Sequence, residues 1–348
     1  MSAILCLAAF LFFQGEAPAS LNEDPLAIND EMIHFLDANI NRGADSVNQL
    51  RELVRVVFEN NTLGFSYEPV TRTAIETFTL RRGNCVSFTF LFLALARHLG
   101  LDARFREVEI APLWSQLGGY INLSGHVNVA VVIGTQWYTV DLFPQVNRIE
   151  LRGLVVSDKR AEAHYFNNRG VDLLASGDSA VAIQYFRKAL AIDPALAIAW
   201  CNLGVALTHA ENFALAEDSY REALRLNPEN MPAMSNIASL YTRTGREQEA
   251  RRWESKARKF RDKNPYYHYS LGLQAFESGD YQAAINHFKD ALRRKKNEHN
   301  FYQALGKTYL QLGDANRARA CLRSALKYAP DATSRLLYSD KLTWLAAQ

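Results

Sequence analysis

Residues 81–100 read RRGNCVSFTFLFLALARHLG, a polar turn that leads into a long apolar run. Apolar side chains stand at nearly every position after Ser87, so the run predicts a central helix that is buried on most sides. Asn84 is a preferred residue for capping the start of a helix, and Gly100 is a preferred residue just after a helix end. This predicted helix is the element around which the first half of the chain folds.

Cys85 lies in the first turn of the predicted helix. Backbone N–H groups without helical partners and the helix dipole favour negative charge there, which suits a thiolate nucleophile. A single cysteine is otherwise a small hydrophobic residue of protein interiors. Cys201 and Cys321, which fall among core positions of later helices, are interpreted in that second way. A nucleophilic role for Cys85 therefore requires a base elsewhere in the chain.

A predicted hairpin supplies that base. Residues 125–141 read GHVNVAVVIGTQWYTVD, and the Gly134-Thr135 pair between two β-rich runs predicts a two-residue turn. In this register Asn128 lies opposite Asp141, and His126 shares their face of the sheet as a diagonal neighbour of Asp141. A three-residue loop would separate His126 from Asp141 unless a bulge intervened. The two-residue turn thus brings an imidazole within reach of a carboxylate.

Cys85, His126 and Asp141 are the thiol, base and carboxylate that a thiol nucleophile needs. The motifs GNC, ARHLGLDAR, GHV and WYTVD, in this order and spacing, resemble the core of the transglutaminase-like superfamily over roughly residues 60–145. The resemblance implies a papain-like α+β fold with Cys85 as nucleophile, His126 as base and Asp141 as the residue that orients His126. The chain departs from the family pattern at Asn128, where many members have an aromatic residue, and in lacking a proline directly after Asp141.

Acyl transfer also needs hydrogen-bond donors for the oxyanion. The backbone N–H of Cys85 is the natural first donor, and a side chain before the nucleophile would supply the second. Tyr67 is the preferred candidate, with Asn60, Asn61 and Trp114 as alternatives. We place this first domain at residues 25–155, with helices within 25–60, a short helix over 71–80, a strand over 102–110 and a loop over a site at 111–124.

The second half of the chain repeats every 34 residues. Small residues recur at that interval, at Gly170, Gly204, Ala238, Gly272 and Gly306. Bulky residues recur beside them at Phe186, Tyr220, Phe288 and Leu322, while Glu254 interrupts the series in the third repeat. This pattern resembles five tetratricopeptide repeats over residues 163–332. Residues 333–348 predict a capping helix with an apolar side formed by Leu336, Leu337, Leu342 and Leu345.

Asn168, Asn202 and Asn236 follow the same 34-residue interval, on the first helix of successive repeats. The resemblance implies that this position lines a concave groove, where asparagine can bond the backbone of a bound peptide. Asparagine is also a frequent residue of the repeat itself, so packing is the alternative. We expect a protein or peptide partner in this groove.

The N-terminus predicts export. Residues 3–13 carry no charge, and Ala17-Pro18-Ala19 follows as a cleavage site, so residues 1–19 predict a signal peptide. No Lys or Arg precedes the apolar run, which is atypical of such signals. We expect a periplasmic or secreted protein, with a cytoplasmic one as the alternative. Membrane association is expected only through an uncleaved N-terminus.

Composition narrows the classes of function. The net charge of +2 is small, and no basic–aromatic pattern indicates nucleic-acid binding. Cys85, Cys201 and Cys321 are too far apart for a disulfide framework or a zinc cluster, so we expect no metal and no cofactor.

The sequence as a whole predicts an α+β papain/transglutaminase-like domain followed by an all-α tetratricopeptide-repeat solenoid. The corresponding function is a thiol enzyme, a protease or amidase, acting on amide bonds of a protein or peptide that the repeats recruit. Transamidation, in which an amine replaces water, stays open. The alternative from another class is a protein-binding scaffold whose first domain is a relic.

Overall fold

The computed structural model describes residues 21–59, 62–110, 126–141, 150–330 and 332–346. The predicted signal peptide, the loop at 111–124 and the candidates Asn60, Asn61 and Trp114 lie outside these ranges. The described residues belong to two compact units, one running up to Arg246 and one from Glu247 onward. No helix within the described ranges has the length and hydropathy needed to cross a bilayer.

The first unit contains nine helices and six strands in its described part. In chain order they are α1 Asp30–Asn39, α2 Ser46–Phe58, β1 Ser66–Tyr67, α3 Ala74–Leu80, β2 Arg82–Gly83, α4 Cys85–His98, β3 Asp102–Ile110, β4 His126–Ile133, β5 Gln136–Val140, β6 Glu150–Val155, α5 Asp158–Ala175, α6 Ser179–Ile192, α7 Ala197–His209, α8 Phe213–Leu226 and α9 Met231–Arg243. One antiparallel sheet has the order β5-β4-β3-β6, and β1 pairs with β2 in parallel. The helices and the strand predicted before residue 111 are confirmed.

Helix α4 is the core of this unit, as its sequence predicts. Every residue from Val86 to Ala96 is buried. The helix packs against one face of the sheet, where the ring of Phe90 lies 5.8 Å from that of Phe105. Its end is followed by Gly100 in the left-handed region at φ 79°, a conformation that glycine adopts without strain.

The hairpin of β4 and β5 has the predicted register. Ile133 pairs with Gln136 and Val129 with Val140, so the connection is the two-residue turn Gly134-Thr135. The face that carries Val129 packs into the core, where that side chain is fully buried. Strand β6, which pairs with β3 on the side away from β4, was not predicted from the sequence.

Helices α5 to α9 show the predicted close packing of small against bulky residues. A Cβ atom on Gly204 would lie 2.6 Å from the ring of Tyr220, and one on Gly170 would lie 2.7 Å from the ring of Phe186. Such distances leave no room for a side chain at either glycine. Cys201, which forms no disulfide, is fully buried on α7, and this confirms its interpretation as a packing residue.

The second unit continues with helix pairs. Its helices are α10 Glu247–Lys263, α11 Pro265–Glu277, α12 Tyr281–Arg294, α13 His299–Gln311, α14 Ala315–Tyr328 and α15 Ala332–Ala346. Gly272 meets Phe288 in the same close contact, at 2.5 Å from a Cβ atom built on the glycine. Cys321 on α14 is a buried free thiol, again as predicted.

The apolar side predicted for the capping helix α15 is wrong in part. Leu336 is 63% exposed and Leu337 is 44% exposed, whereas Tyr338 and Leu345 are buried. Tyr338, Leu342 and Leu345 stand at positions i, i+4 and i+7, which form one face of a helix, and the two exposed leucines lie off that face. The prediction assigned the apolar side from the leucines alone and did not include Tyr338. The hydroxyl of Tyr338 lies 2.7 Å from His299 Nδ1.

Candidate active site

Cys85 is the first residue of α4, and a side-chain cap holds the start of that helix. Asn84 has extended backbone geometry, and its Oδ1 accepts the backbone N–H of Ser87 at 3.0 Å. The first-turn N–H groups of any α-helix have no carbonyl partner within the helix. The half-buried thiol of Cys85 therefore lies beside backbone donors, the arrangement that stabilises a developing negative charge.

The turn before Cys85 admits no side chain at Gly83. A Cβ atom built there would lie 2.5 Å from Cβ of Ser87. Gly83 also pairs with Tyr67 in the parallel β1–β2 contact, and its carbonyl accepts the N–H of Glu68 at 3.0 Å. The two strands thus hold the polar turn against the start of α4.

The hairpin brings the base and the carboxylate together. His126 Nε2 lies 2.5 Å from Asp141 Oδ2, and the ring also forms a hydrogen bond with the side chain of Cys85. Since Nε2 contacts the carboxylate, Nδ1 is the ring nitrogen left for the thiol. The structure therefore brings together all three side chains that the sequence singled out, on two separate elements, α4 and the β4–β5 hairpin.

The charge state of His126 follows from its surroundings. Burial by itself would lower the pKa of the imidazole, because a charged ring loses water. The hydrogen bonds and the charges of Asp141 and Cys85 outweigh burial and raise the pKa of His126 to about 9. The ring is an imidazolium at neutral pH, so it can both pair with a thiolate and donate a proton.

Asn128 is a site residue whose role the sequence reasoning missed. Its Nδ2 donates to Asp141 Oδ2 at 3.1 Å, and its side chain is 2% exposed. Asp141 Oδ2 is thus in contact with both His126 Nε2 and Asn128 Nδ2, and the two contacts restrain the carboxylate. The predicted register already placed Asn128 opposite Asp141, so the signal was present but was interpreted only as a departure from the family pattern.

The predicted oxyanion donor lies near the site, and its role stays a prediction. Tyr67 pairs with Gly83, two residues before Cys85, and its side chain is 53% exposed. Among the described residues, no group of three or more His, Cys, Asp or Glu side chains could hold a metal ion.

Two of the three asparagines that recur at 34-residue intervals are buried between helices of the repeats. Asn202 is 3% exposed and donates through Nδ2 to Asn167 Oδ1 at 2.9 Å, while Asn236 is equally buried and lies 3.8 Å from Cys201 Sγ. Both side chains join the first helix of one repeat to that of the preceding repeat. This placement gives Asn202 and Asn236 a packing role. Only Asn168 is half-buried, so a peptide-binding role for the series stays a prediction.

Comparison with family models agrees with this architecture. Residues 35–142 match the transglutaminase-like superfamily. Tetratricopeptide repeat models match residues 167–230 and 209–268, and a further one matches 275–338. The predicted order of a transglutaminase-like domain followed by tetratricopeptide repeats is confirmed.

Individual relatives resemble only part of the chain. The PEX5-related protein of Homo sapiens is 36% identical over 81 residues, which are 23% of this chain and 13% of that protein. Superkiller protein 3 of Schizosaccharomyces pombe is 27% identical over 118 residues, which are 34% of this chain and 8% of that protein. The solved structure of Pseudomonas aeruginosa pilF has 21% identity and a TM-score of 0.29, over 55% of this chain and 87% of that one. The chain therefore spans a small fraction of the length of these two curated relatives.

Proposed function

Because this chain joins a transglutaminase-like domain to tetratricopeptide repeats, we propose that it is a thiol enzyme acting on amide bonds of a protein or peptide. The nucleophile is Cys85, the acid–base group is His126, and Asp141 fixes the orientation of the ring. The observation that carries the proposal is the contact of His126 with both Asp141 and Cys85 at the start of a buried helix. This is the geometry that nucleophilic catalysis by a thiol requires.

The reaction proceeds in two steps. The Cys85 sulfur, whose proton is held by the protonated His126 at neutral pH, attacks the carbonyl carbon of the substrate. His126 then returns the proton to the departing amine as the C–N bond breaks, which leaves a thioester on Cys85. In the second step His126 takes a proton from water, and the resulting hydroxide attacks the thioester. The products are a carboxylic acid and the regenerated pair of Cys85 and protonated His126.

Hydrolysis is the proposed outcome because water is always available to the thioester. An amine in place of water would give transamidation by the same steps. The repeats, as modules that bind proteins, would bring the protein substrate or its complex to the site. The competing function is a scaffold with a relic thiol domain, and the preserved contacts among Cys85, His126 and Asp141 argue against it, because a relic has no need of them.

The decisive experiment measures alkylation of Cys85 by iodoacetamide near neutral pH, with the modified peptide quantified by mass spectrometry. We expect Cys85 to react faster than glutathione, and His126→Ala to lower the rate by about a hundredfold. His98→Ala, a histidine at the far end of α4, serves as the matched control and should leave the rate unchanged. Reaction of Cys85 at the rate of glutathione, unaffected by His126→Ala, would overturn the proposal.

The pH dependence of turnover should reflect the protonation of His126. Once a substrate is known, activity should fall as the pH rises through about 9, because His126 then loses the proton that the leaving amine needs. Substrates can be sought as peptides retained by a Cys85→Ala variant, with a Cys85→Ala/Asp141→Ala double variant as control. Turnover that keeps rising through this pH range would contradict the assignment of His126 as the acid.

Export is part of the same proposal. The uncharged run at residues 3–13 and the Ala17-Pro18-Ala19 site support a signal peptide over residues 1–19 and a periplasmic or secreted enzyme. Sequencing the N-terminus of the protein from its native host tests this directly. We expect a start at Ser20, and recovery of intact Met1 from the cytoplasmic fraction would overturn it.

A further inference from the structure

Two side chains of the first repeat helix, α5, hold the backbone of Thr71 in the thiol domain. The N–H of Thr71 donates to Asp172 Oδ2 at 2.9 Å, and its carbonyl accepts from Arg169 Nη1 at 2.7 Å. Thr71 is fully buried and belongs to the irregular segment before α3. A buried backbone without partners is strongly unfavourable, so these two bonds are required where they stand.

The same threonine contacts the cap of the nucleophile helix. Asn84 Nδ2 donates to Thr71 Oγ1 at 2.8 Å, while the backbone N–H of the same threonine donates to Asp172 Oδ2. Thr71 thus accepts from Asn84 through its hydroxyl and donates to Asp172 through its backbone. A directed chain of hydrogen bonds therefore runs from Asn84 through Thr71 to Asp172.

This chain fixes which way the amide of Asn84 points. The cap works only when Oδ1 faces the helix and accepts from Ser87, which requires Nδ2 to face away from it. Thr71 Oγ1 is the acceptor that receives Nδ2 in that orientation. Cys85 follows Asn84 directly, so the orientation of the cap determines the backbone at the nucleophile.

We infer that Asp172, in the first tetratricopeptide helix, is a positioning residue for Cys85, acting through Thr71 on the Asn84 cap. The inference rests on the proposed function only in taking Cys85 as the nucleophile. It makes the first repeat part of the active-site structure, in addition to any role in binding a partner. The enzyme then requires α5 even for a substrate that never touches the repeats.

Other contacts of α5 hold it on the thiol domain without reaching the nucleophile turn. Arg97, near the end of α4, forms a two-pronged ion pair with Asp158 at 2.9 and 2.8 Å. Asp158 lies on the same helix and faces the same domain as Asp172, but the opposite end of α4 from Cys85. It therefore provides a matched control for general loosening of α5.

The test measures the rate of Cys85 alkylation in full-length variants whose folding is checked by circular dichroism and urea unfolding. Asp172→Asn replaces the carboxylate that accepts the Thr71 N–H with a neutral amide. Thr71→Val removes the hydroxyl alone. We expect both variants to lower the rate about tenfold through misplacement of the nucleophile, while Thr71→Ser, which keeps the hydroxyl, and Asp158→Asn stay close to wild type.

The outcomes separate this inference from the proposed function. If His126→Ala slows Cys85 but Asp172→Asn and Thr71→Val leave it unchanged, the positioning role is wrong and the nucleophile assignment stands. Equal slowing by Asp158→Asn or Thr71→Ser would also overturn the inference, because the effect would then be general loosening of the fold. If His126→Ala has no effect, the proposed function itself fails.

Discussion

Helices α5 and α7 are the first helices of the first and second repeats. They carry similar side chains toward their partner helices and different side chains on another face. Toward their own partner helices, both place a glycine against an aromatic ring, Gly170 against Phe186 and Gly204 against Tyr220. On another side, α5 carries Arg169 and Asp172, which bond to Thr71 of the thiol domain, and Tyr165, which bonds to Glu23 just before that domain. The positions 34 residues later on α7 are Ala199, Leu203 and Ala206, all apolar and buried.

The difference follows from what each helix packs against. Helix α7 packs on α5, whose backbone groups are already paired within a helix, so apolar side chains suffice. Helix α5 packs on the irregular segment around Thr71, whose N–H and carbonyl need partners from outside. The thiol domain thus takes the place of a preceding repeat, and α5 adapts to it by polar side chains at positions that are apolar in the next repeat.

Making α5 resemble α7 should produce the largest loss of stability. Arg169→Leu, which copies Leu203, removes a buried cation that faces Asp172 and bonds the carbonyl of Thr71. We expect the free energy of unfolding, measured by urea denaturation, to fall by about 3 kcal/mol, since a buried charge loses its partner. Leu203→Met, the matched change on α7, should lower it by about 1 kcal/mol or less. Equal effects would contradict the distinction between the two helices.

The same surface of α5 should make stability depend on pH. Burial raises the pKa of Asp172 to about 7, although Thr71, Arg169 and Arg72 each act to lower it. The folded protein then binds a proton more tightly than the unfolded chain, so stability falls as the pH rises from about 4 to about 7. Asp172→Asn should remove this fall, which urea midpoints across the range would measure. If stability still falls over this pH range in Asp172→Asn, other titratable groups cause the fall. Helix α7 has no acidic residue at the equivalent position.

On the faces that α5 and α7 turn toward their partner helices, the same glycine-to-alanine substitution should destabilise the protein equally. Gly170→Ala and Gly204→Ala each place a methyl group within 2.7 Å of a ring. We expect each to lower the free energy of unfolding by about 2 kcal/mol through overpacking. Gly306→Ala is the control, because its nearest neighbour, Cys321, lies 3.3 Å away, and it should cost less. A smaller effect at Gly170 alone would mean that α5 is not packed as a repeat helix.

Contacts between residues that are near in sequence could be predicted, and long-range contacts could not. The cap at Asn84 and the turn at Gly134-Thr135 are set by adjacent residues, so helix start and hairpin register followed from the sequence. The meeting of Cys85 with His126 needed the family resemblance, because no local pattern joins α4 to the hairpin. The bond between Thr71 and Asp172 spans 101 residues and leaves no periodic signal, so the role of α5 appeared only in the structure.

A smaller effect should come from the asparagine that joins α7 to α5. Asn202 donates to Asn167 in a buried contact, so Asn202→Ala should lower the free energy of unfolding by about 1 kcal/mol. Asn168→Ala, at the half-buried position of the same series, should change stability less. If a partner is captured by the full chain, its retention by Asn202→Ala and loss in Asn168→Ala would separate packing from peptide binding. Loss of the partner in Asn202→Ala at unchanged stability would restore the groove role of Asn202.

The smallest effect should come from the ion pair at the exposed end of α5. Arg97 and Asp158 have ideal two-pronged geometry, but the side chain of Asp158 is 60% exposed. Water screens both charges before and after the pair breaks, so Asp158→Asn should change the free energy of unfolding by about 0.5 kcal/mol or less, and less still at high salt. Urea unfolding at low and high salt measures both effects. A loss of unfolding free energy as large as that of Arg169→Leu would mean that exposed charges hold α5 on the thiol domain. The difference between α5 and α7 would then come from solvent-exposed ion pairs and not from the buried contact with Thr71.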